Sequence, residues 1–217
     1  HAHQTTGAVE NFPRLIRWDI GAFFPEGSRT GSAGLFNLAA AAIALLLSEQ
    51  EPSQEMILSI LAWSPLLMGG LSLIVLFFLA RDLVGSKWAL LVIFLRVVFP
   101  GQEINRTLLG FGDYHAAEIL LSTLSAWLFV RFIRTINSEC NWARAALAGM
   151  VSSIPMAAFL FTWFGAPLHL ASIVMAFWLS LPPEFGRSEK SRERLSTLLS
   201  QYSIYFLSVL LLYGAIA

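Results

Sequence analysis

Residues 57–80 run for 24 positions without a charged side chain. A helix needs about 20 apolar residues to cross the hydrocarbon of a bilayer. Inside that hydrocarbon a backbone must satisfy its own polar groups, which a helix does. Five more apolar runs follow: Trp88–Ile104, Ala116–Val130, Ala145–Trp163, Ala166–Leu181 and Thr197–Ala217. The chain is 56% apolar and 13% charged, where a soluble domain carries about 25% charged residues. That excludes a soluble globular domain and a disordered chain. A formal net charge of zero leaves no electrostatic drive toward nucleic acid. Cys140 is the one cysteine, which excludes an intramolecular disulfide and a cysteine-rich zinc site. The expectation is an all-α integral membrane protein, a multi-pass helical bundle of about six spans.

Two parts are expected. Residues 1–56 form a loop segment with turn chemistry at Phe24-Pro25-Glu26-Gly27 and a short apolar helix over Gly34–Leu47, whose 14 residues suit an interfacial or buried helix better than a span. Residues 57–217 form the transmembrane bundle. Pro65, Pro155, Gly69, Gly70 and Gly149 fall inside spans, where membrane helices accept them. Nine of the fourteen basic residues lie in the linkers Arg81–Lys87, Arg131–Arg144 and Arg187–Arg194. By the positive-inside bias those linkers are cytoplasmic, so Gly101–His115 and residues 1–56 face the opposite, external side. The chain starts at His1 without a Met and ends inside an apolar run, and no basic segment precedes a short apolar core as in a signal peptide. We read it as a piece of a longer protein.

The chemistry is expected in the external loop. Glu103, Arg106, Asp113, His115 and Glu118 fall within 16 residues at the mouth of the bundle, where ionisable groups are costly and point to function. On a continuous helix Asp113 and His115 would diverge by about 200°. Gly110 and Gly112 permit a non-helical turn, from which both could reach one divalent cation. Carboxylate with imidazole suits Mn²⁺, Mg²⁺ or Zn²⁺. Asp113 equally suits the N-cap of a helix starting at Tyr114, with Glu118 in the favourable first turns, and Arg106 suits a snorkelling side chain. The formal acceptor Asn105-Arg106-Thr107 lies too close to an apolar run to be a glycosylation site. Arg14, Arg17 and Asp19 around Trp18 read as a surface ion-pair cluster. Arg96 reads as a structural pair with Glu103, and His169 as a hydrogen-bonded core histidine.

Three stretches go beyond spacing. Asn11-Phe-Pro-Arg-Leu-Ile-Arg-Trp-Asp19 followed by Phe24-Pro-Glu-Gly27 and an apolar helix resembles the first external loop of the catalytic subunit of oligosaccharyltransferases of the archaeal and bacterial type. Arg106-Thr-Leu-Leu-Gly-Phe-Gly-Asp-Tyr-His-Ala-Ala-Glu118 resembles that family's second acidic motif in its Asp-x-His variant. Thr162-Trp-Phe-Gly-Ala-Pro-Leu168 resembles a further family segment. The resemblance implies a GT-C membrane glycosyltransferase that moves an oligosaccharide from a polyprenyl (pyro)phosphate carrier to Asn of an Asn-x-Ser/Thr acceptor polypeptide. It implies Asp113 and His115 as ligands of a divalent metal, Mn²⁺ or Mg²⁺, and Arg106 as a basic group near acceptor and carrier phosphate. Glu118 and His3 are further candidates, behind the ligands. The partners implied are the lipid-linked oligosaccharide, the acceptor and membrane lipids, with no nucleic acid.

By the family pattern the first-loop acidic ligand falls four residues before His3, off the start of this sequence. The late external loop, the acceptor serine/threonine pocket and the C-terminal domain are also outside it, so this piece alone is expected to be inactive. The runner-up is another GT-C enzyme using a polyprenyl-phosphate sugar, since a shared fold leaves the substrate open. An ion-coupled transporter ranks below both, because the charges gather at one loop and no inverted repeat shows.

Overall fold

The computed structural model describes residues 2–14, 18–19, 25–29, 34–48, 51–99, 101, 105–137, 142–180 and 189–216. The chain is an all-α membrane bundle with one short β-ribbon. Its elements are α1 (Ala2–Glu10), β1 (Trp18–Asp19), β2 (Ser28–Arg29), α2 (Gly34–Leu47), α3 (Gln54–Val84), α4 (Ser86–Val98), α5 (His115–Asn137), α6 (Trp142–Thr162), α7 (Ala166–Ser180) and α8 (Glu189–Ile216). The two strands pair antiparallel, Trp18 with Arg29 and Asp19 with Ser28.

Among the described residues four helices are long and apolar enough to cross a membrane: Gln54–Val84, His115–Ile136, Trp142–Thr162 and Leu195–Ala215. This differs from the expected six. Helix α7 has 15 residues and α4 only 13, below the length of a full crossing. The apolar run that begins at Trp88 continues to Ile104 in sequence, but its helix stops early. Phe99 precedes Pro100 and is extended, at φ −72° and ψ 119°, as a residue before proline prefers. At the other extreme α3 outruns its apolar stretch. Ser53 caps it by accepting from the Met56 backbone N–H at 3.2 Å, and at its far end Gly85, with φ 86°, breaks it from α4.

Two cores organise the bundle. The larger joins α5, α6, α7 and α8 through Phe129, Phe132, Phe159, Phe177, Tyr202 and Tyr205, all buried. Phe129 and Phe132 meet the Tyr202 ring edge-on, at 5.9 and 5.4 Å, an arrangement that aromatic quadrupoles favour, while Phe132 stacks on Tyr205 at 5.8 Å. The smaller core seats α1 and α2 on the bundle: Phe36, Ala40 and Ala44 of α2 pack with Ile57 and Leu61 of α3 and Ala117 of α5, and Ala2, Val9 and Tyr114 close its rim. The expected division at residue 56 is therefore crossed by a shared apolar cluster. Helix α2 spans the 14 residues expected from its apolar run. His169 is a hydrogen-bonded core histidine: its Nε2 lies 2.9 Å from Ser125 Oγ, and Phe159 meets its ring edge-on at 5.5 Å.

Candidate functional site

The segment between α4 and α5 is held against α3. The Gly110 N–H donates to the carbonyl of Ala62 at 2.9 Å, and Gly110 takes φ 86°, a left-handed conformation that glycine adopts without steric cost. Two close approaches set the depth of the loop. A Cβ on Gly69 would come within 2.7 Å of Thr107 Cβ, and one on Gly112 within 3.3 Å of the Leu61 carbonyl oxygen. Glycine at 69 thus lets the loop residue beside Arg106 sit directly on the helix.

The loop ends in a turn. The Asp113 N–H donates to the Phe111 carbonyl, and the Glu118 N–H to the Tyr114 carbonyl at 3.0 Å. The residue whose carbonyl accepts the first helical bond is the N-cap, so the cap is Tyr114, and Asp113 stands one place outside the helix. The expectation of an Asp113 cap on a helix starting at Tyr114 is corrected accordingly. From this position Asp113 reaches back over the first turn: its Oδ2 lies 3.7 Å from His115 Nε2. The non-helical backbone has removed the divergence that a continuous helix would impose.

His115 sits between two carboxylates. Its Nδ1 lies 2.6 Å from Glu118 Oε2, a short charge-assisted bond across one helical turn. The Tyr114 ring stacks obliquely on the imidazole at 4.3 Å. Nδ1 pairs with Glu118 and Nε2 faces Asp113. Side chains of Asp113, His115 and Glu118 are 24%, 23% and 21% exposed, enough for a small ion or phosphate oxygen to reach them. Among the described residues no group of three or more His, Cys, Asp or Glu side chains is arranged so that it could hold a metal ion. The cluster supplies two converging donors with a third group behind one of them.

Arg106 is half-buried in the same loop, next to Thr107. Thr107 and Arg96 line one cavity of about 250 Å³ between α3 and α4, together with Leu66, Gly69, Gly70 and Ser72. Glu103, the expected partner of Arg96, lies outside the described residues.

His3 is placed differently. It lies on α1, and its Nε2 is 3.6 Å from Asp19 Oδ1. Of the expected ion-pair cluster Arg17 lies outside the described residues, and Asp19 is buried: Gln4 Nε2 donates to its Oδ2 at 3.1 Å, Asn37 Nδ2 donates to Gln4 Oε1 at 2.9 Å, and Thr5 Oγ donates to Asn37 Oδ1 at 3.3 Å. This chain of polar groups ties α1 to the ribbon and to α2. Sequence reasoning missed it because its partners lie 15 to 33 positions apart. The one available signal was Asn37, a lone amide inside an otherwise apolar run.

Comparison with known proteins places the chain in a family and supports its fold. Residues 3–216 match the family described as oligosaccharyl transferase STT3, N-terminal. The dolichyl-phosphooligosaccharide-protein glycotransferase 3 of Archaeoglobus fulgidus is 29% identical over 173 residues, 78% of this chain and 20% of that protein. The apo crystal structure of the Archaeoglobus fulgidus oligosaccharyltransferase superposes with a TM-score of 0.79 at 23% identity, covering 99% of this chain and 24% of that one. The same archaeal protein has been solved with Zn and sulfate and with a tethered acceptor peptide containing the NVT sequon, and the oligosaccharyltransferase AglB of Archaeoglobus fulgidus with an inhibitory peptide and a dolichol-phosphate. These match at TM-scores of 0.72, 0.77 and 0.74, at 22%, 21% and 20% identity, covering 99% of this chain and 29%, 28% and 27% of theirs. The chain therefore spans about a fifth of the length of its curated relative and about a quarter of its structural ones. The family match runs almost end to end and includes the 106–118 loop: the chain belongs to the oligosaccharyl transferase STT3 N-terminal family.

Proposed function

We propose that this chain supplies part of the catalytic centre of an oligosaccharyltransferase, which moves an oligosaccharide from a polyprenyl (pyro)phosphate carrier to the amide nitrogen of Asn in an Asn-x-Ser/Thr acceptor. The observation that carries the reading is the Asp113–His115 pair, brought to 3.7 Å by a non-helical turn in a chain of this family. The partners are a lipid-linked oligosaccharide and an acceptor polypeptide. Related archaeal structures hold an NVT peptide and a dolichol-phosphate, which supports both.

The donor set fits a divalent cation in kind. Asp113 offers a carboxylate oxygen and His115 an Nε2 whose opposite nitrogen is tied to Glu118, the carboxylate–histidine pattern that orients metal-binding imidazoles. We assign Asp113 and His115 as ligands of Mn²⁺ or Mg²⁺; the archaeal relative's complex with Zn and sulfate supports a divalent ion of this kind. Such an ion supplies Lewis-acid stabilisation to a departing phosphate oxygen. Two protein donors leave the shell of such an ion incomplete, and we infer that this chain by itself is inactive. The chain's own residues do the positioning. Gly69 and Gly112 let the loop lie on α3, Glu118 holds the imidazole plane, and Arg106 places a guanidinium where negative charge develops on the carrier phosphate.

We assign the 101–115 loop and residues 1–56 to the external side. The basic linkers at the other ends of α3 and α5 support this orientation.

The test is transfer of a lipid-linked oligosaccharide to an Asn-x-Thr peptide by the full-length enzyme with Mn²⁺ present. Asp113→Asn is expected to lower turnover by about 100-fold or more in a protein that still purifies folded. Wild-type turnover in that variant overturns the ligand assignment. Arg106→Ala is expected to lower turnover more than yield, and equal losses in both would make Arg106 structural.

A further inference from the structure

At the opposite end of α5 three arginines share one carboxylate. Asp82, near the end of α3, has a side chain 7% exposed, and Arg81 Nη2, Arg131 Nη1 and Arg134 Nη1 lie 3.7, 3.6 and 3.6 Å from its oxygens. None of these approaches is a hydrogen bond by distance. The short bond to Asp82 comes from Trp127, whose indole Nε1–H donates to Oδ2 at 3.0 Å. The indole thus gives the carboxylate a hydrogen bond and the three guanidiniums pair with it electrostatically, and each guanidinium has five N–H donors, more than one carboxylate can take from three partners. Their side chains are 38%, 56% and 52% exposed. The cluster is built, not incidental: Phe78 stacks on Trp127 at 5.4 Å, and the Arg81 guanidinium lies over the Phe78 ring at 4.8 Å. Three cations around one anion leave a charge of +2. Among the described residues no second carboxylate lies within 4 Å of these guanidiniums.

Its depth identifies the ligand. Arg131 and Arg134 lie about 24–28 Å along α5 from His115, close to the thickness of the hydrocarbon core. With the His115 end at one membrane surface, the arginine backbones stand at the hydrocarbon edge of the other leaflet, from which their long side chains reach out to its phosphates. Guanidinium forks match phosphate oxygens bidentately, and cationic side chains at that level attract acidic lipids.

We propose that Arg81, Arg131 and Arg134, organised by Asp82 and Trp127, form a binding site for the phosphodiester headgroup of an acidic phospholipid in the leaflet opposite the candidate catalytic loop. This is a lipid site separate from the carrier, and it stands whether or not the 106–118 loop performs glycosyl transfer.

The test uses the full-length protein in detergent, titrated with phosphatidylglycerol or with phosphatidylcholine of the same acyl chains and read by native mass spectrometry. Phosphatidylglycerol is expected to be retained preferentially. The double variant Arg131→Gln/Arg134→Gln is expected to lose at least about tenfold of that preference, while Arg131→Lys/Arg134→Lys, which keeps the charge without the fork, is expected to lose less. Equal retention of the two lipids overturns the site, as does wild-type preference in the Gln variant. Inorganic phosphate is added as a competitor: displacement only at far higher concentration supports a lipid headgroup, and displacement at matching concentration assigns the site to a soluble anion instead. Melting temperature, measured alongside, tests folding directly. If the Gln variant proves unfolded, the decision passes to Arg134→Gln alone, in which an unchanged lipid preference again overturns the proposal.

Discussion

Glu118 Oε2 stands 2.6 Å from His115 Nδ1, on the face of the imidazole ring away from Asp113. The pairing fixes the plane of the ring and directs Nε2 at the neighbouring carboxylate. Glu118→Gln keeps the length of the side chain and removes its charge. In the full-length enzyme this is expected to weaken the apparent affinity for Mn²⁺ by about 10–100-fold, with kcat at saturating metal falling less. A metal titration of transferase activity checks it. A loss of yield with an unmoved Mn²⁺ midpoint would mean that Glu118 serves only the fold of the loop.

Gly69 is the seat of Thr107. An alanine there would put its Cβ 2.7 Å from Thr107 Cβ, closer than carbon atoms approach, and both atoms sit on backbone rather than on flexible chain ends. Overpacking of this kind costs about 1–3 kcal/mol. The strain is expected to lift residues 105–113 from α3, so Gly69→Ala should lower turnover well before it unfolds the bundle. Thr107→Gly in the same chain removes the clashing carbon and is expected to restore much of the activity. Failure of that double variant to recover would place the effect within α3 itself.

Asn37 governs the attachment of α1. It accepts from Thr5 and donates to Gln4, and both Thr5 and Asn37 are fully buried. Asn37→Ala leaves the Thr5 hydroxyl without this partner, at a cost of about 1–3 kcal/mol. The expected consequence is local. Amide exchange of residues 2–10 should quicken while that of 115–137 stays as in wild type. Equal acceleration in both segments would show that α1 and α5 open together.

What could be read beforehand follows from the range of the interactions involved. Apolar runs depend on composition alone, so α2 over Gly34–Leu47 and the spanning character of α3, α5, α6 and α8 were legible. Ends were less so. Arg81 and Asp82 look like the start of a linker, yet they continue α3 to Val84, because Asp82 is supported from α5 by Trp127, Arg131 and Arg134. Hydropathy also missed the stop of α4, which Pro100 dictates through Phe99 rather than through polarity. At the candidate site, Gly110 and Gly112 announced a turn and the turn formed. The cap, however, moved to Tyr114, a shift of one residue that changes what Asp113 is free to face. Asp19 was read as a surface residue because its partners Gln4 and His3 lie on α1, and no local pattern links them to it.

Orientation gives a prediction that does not depend on catalysis. Asn105 is exposed in the loop before α5, and Arg144 is exposed at the start of α6, beyond the far end of that helix. If the basic linkers lie in the cytoplasm, the two positions are on opposite sides of the membrane. In a full-length protein whose native Cys140 is replaced by Ser, Asn105→Cys is expected to react with a membrane-impermeant maleimide added outside intact cells. Arg144→Cys should react only after the membrane is opened. Reversed labelling would put the 101–115 loop in the cytoplasm. Labelling of both from outside would mean that α5 does not cross, contrary to its 23-residue length and to the distance between His115 and the Asp82 cluster along its axis.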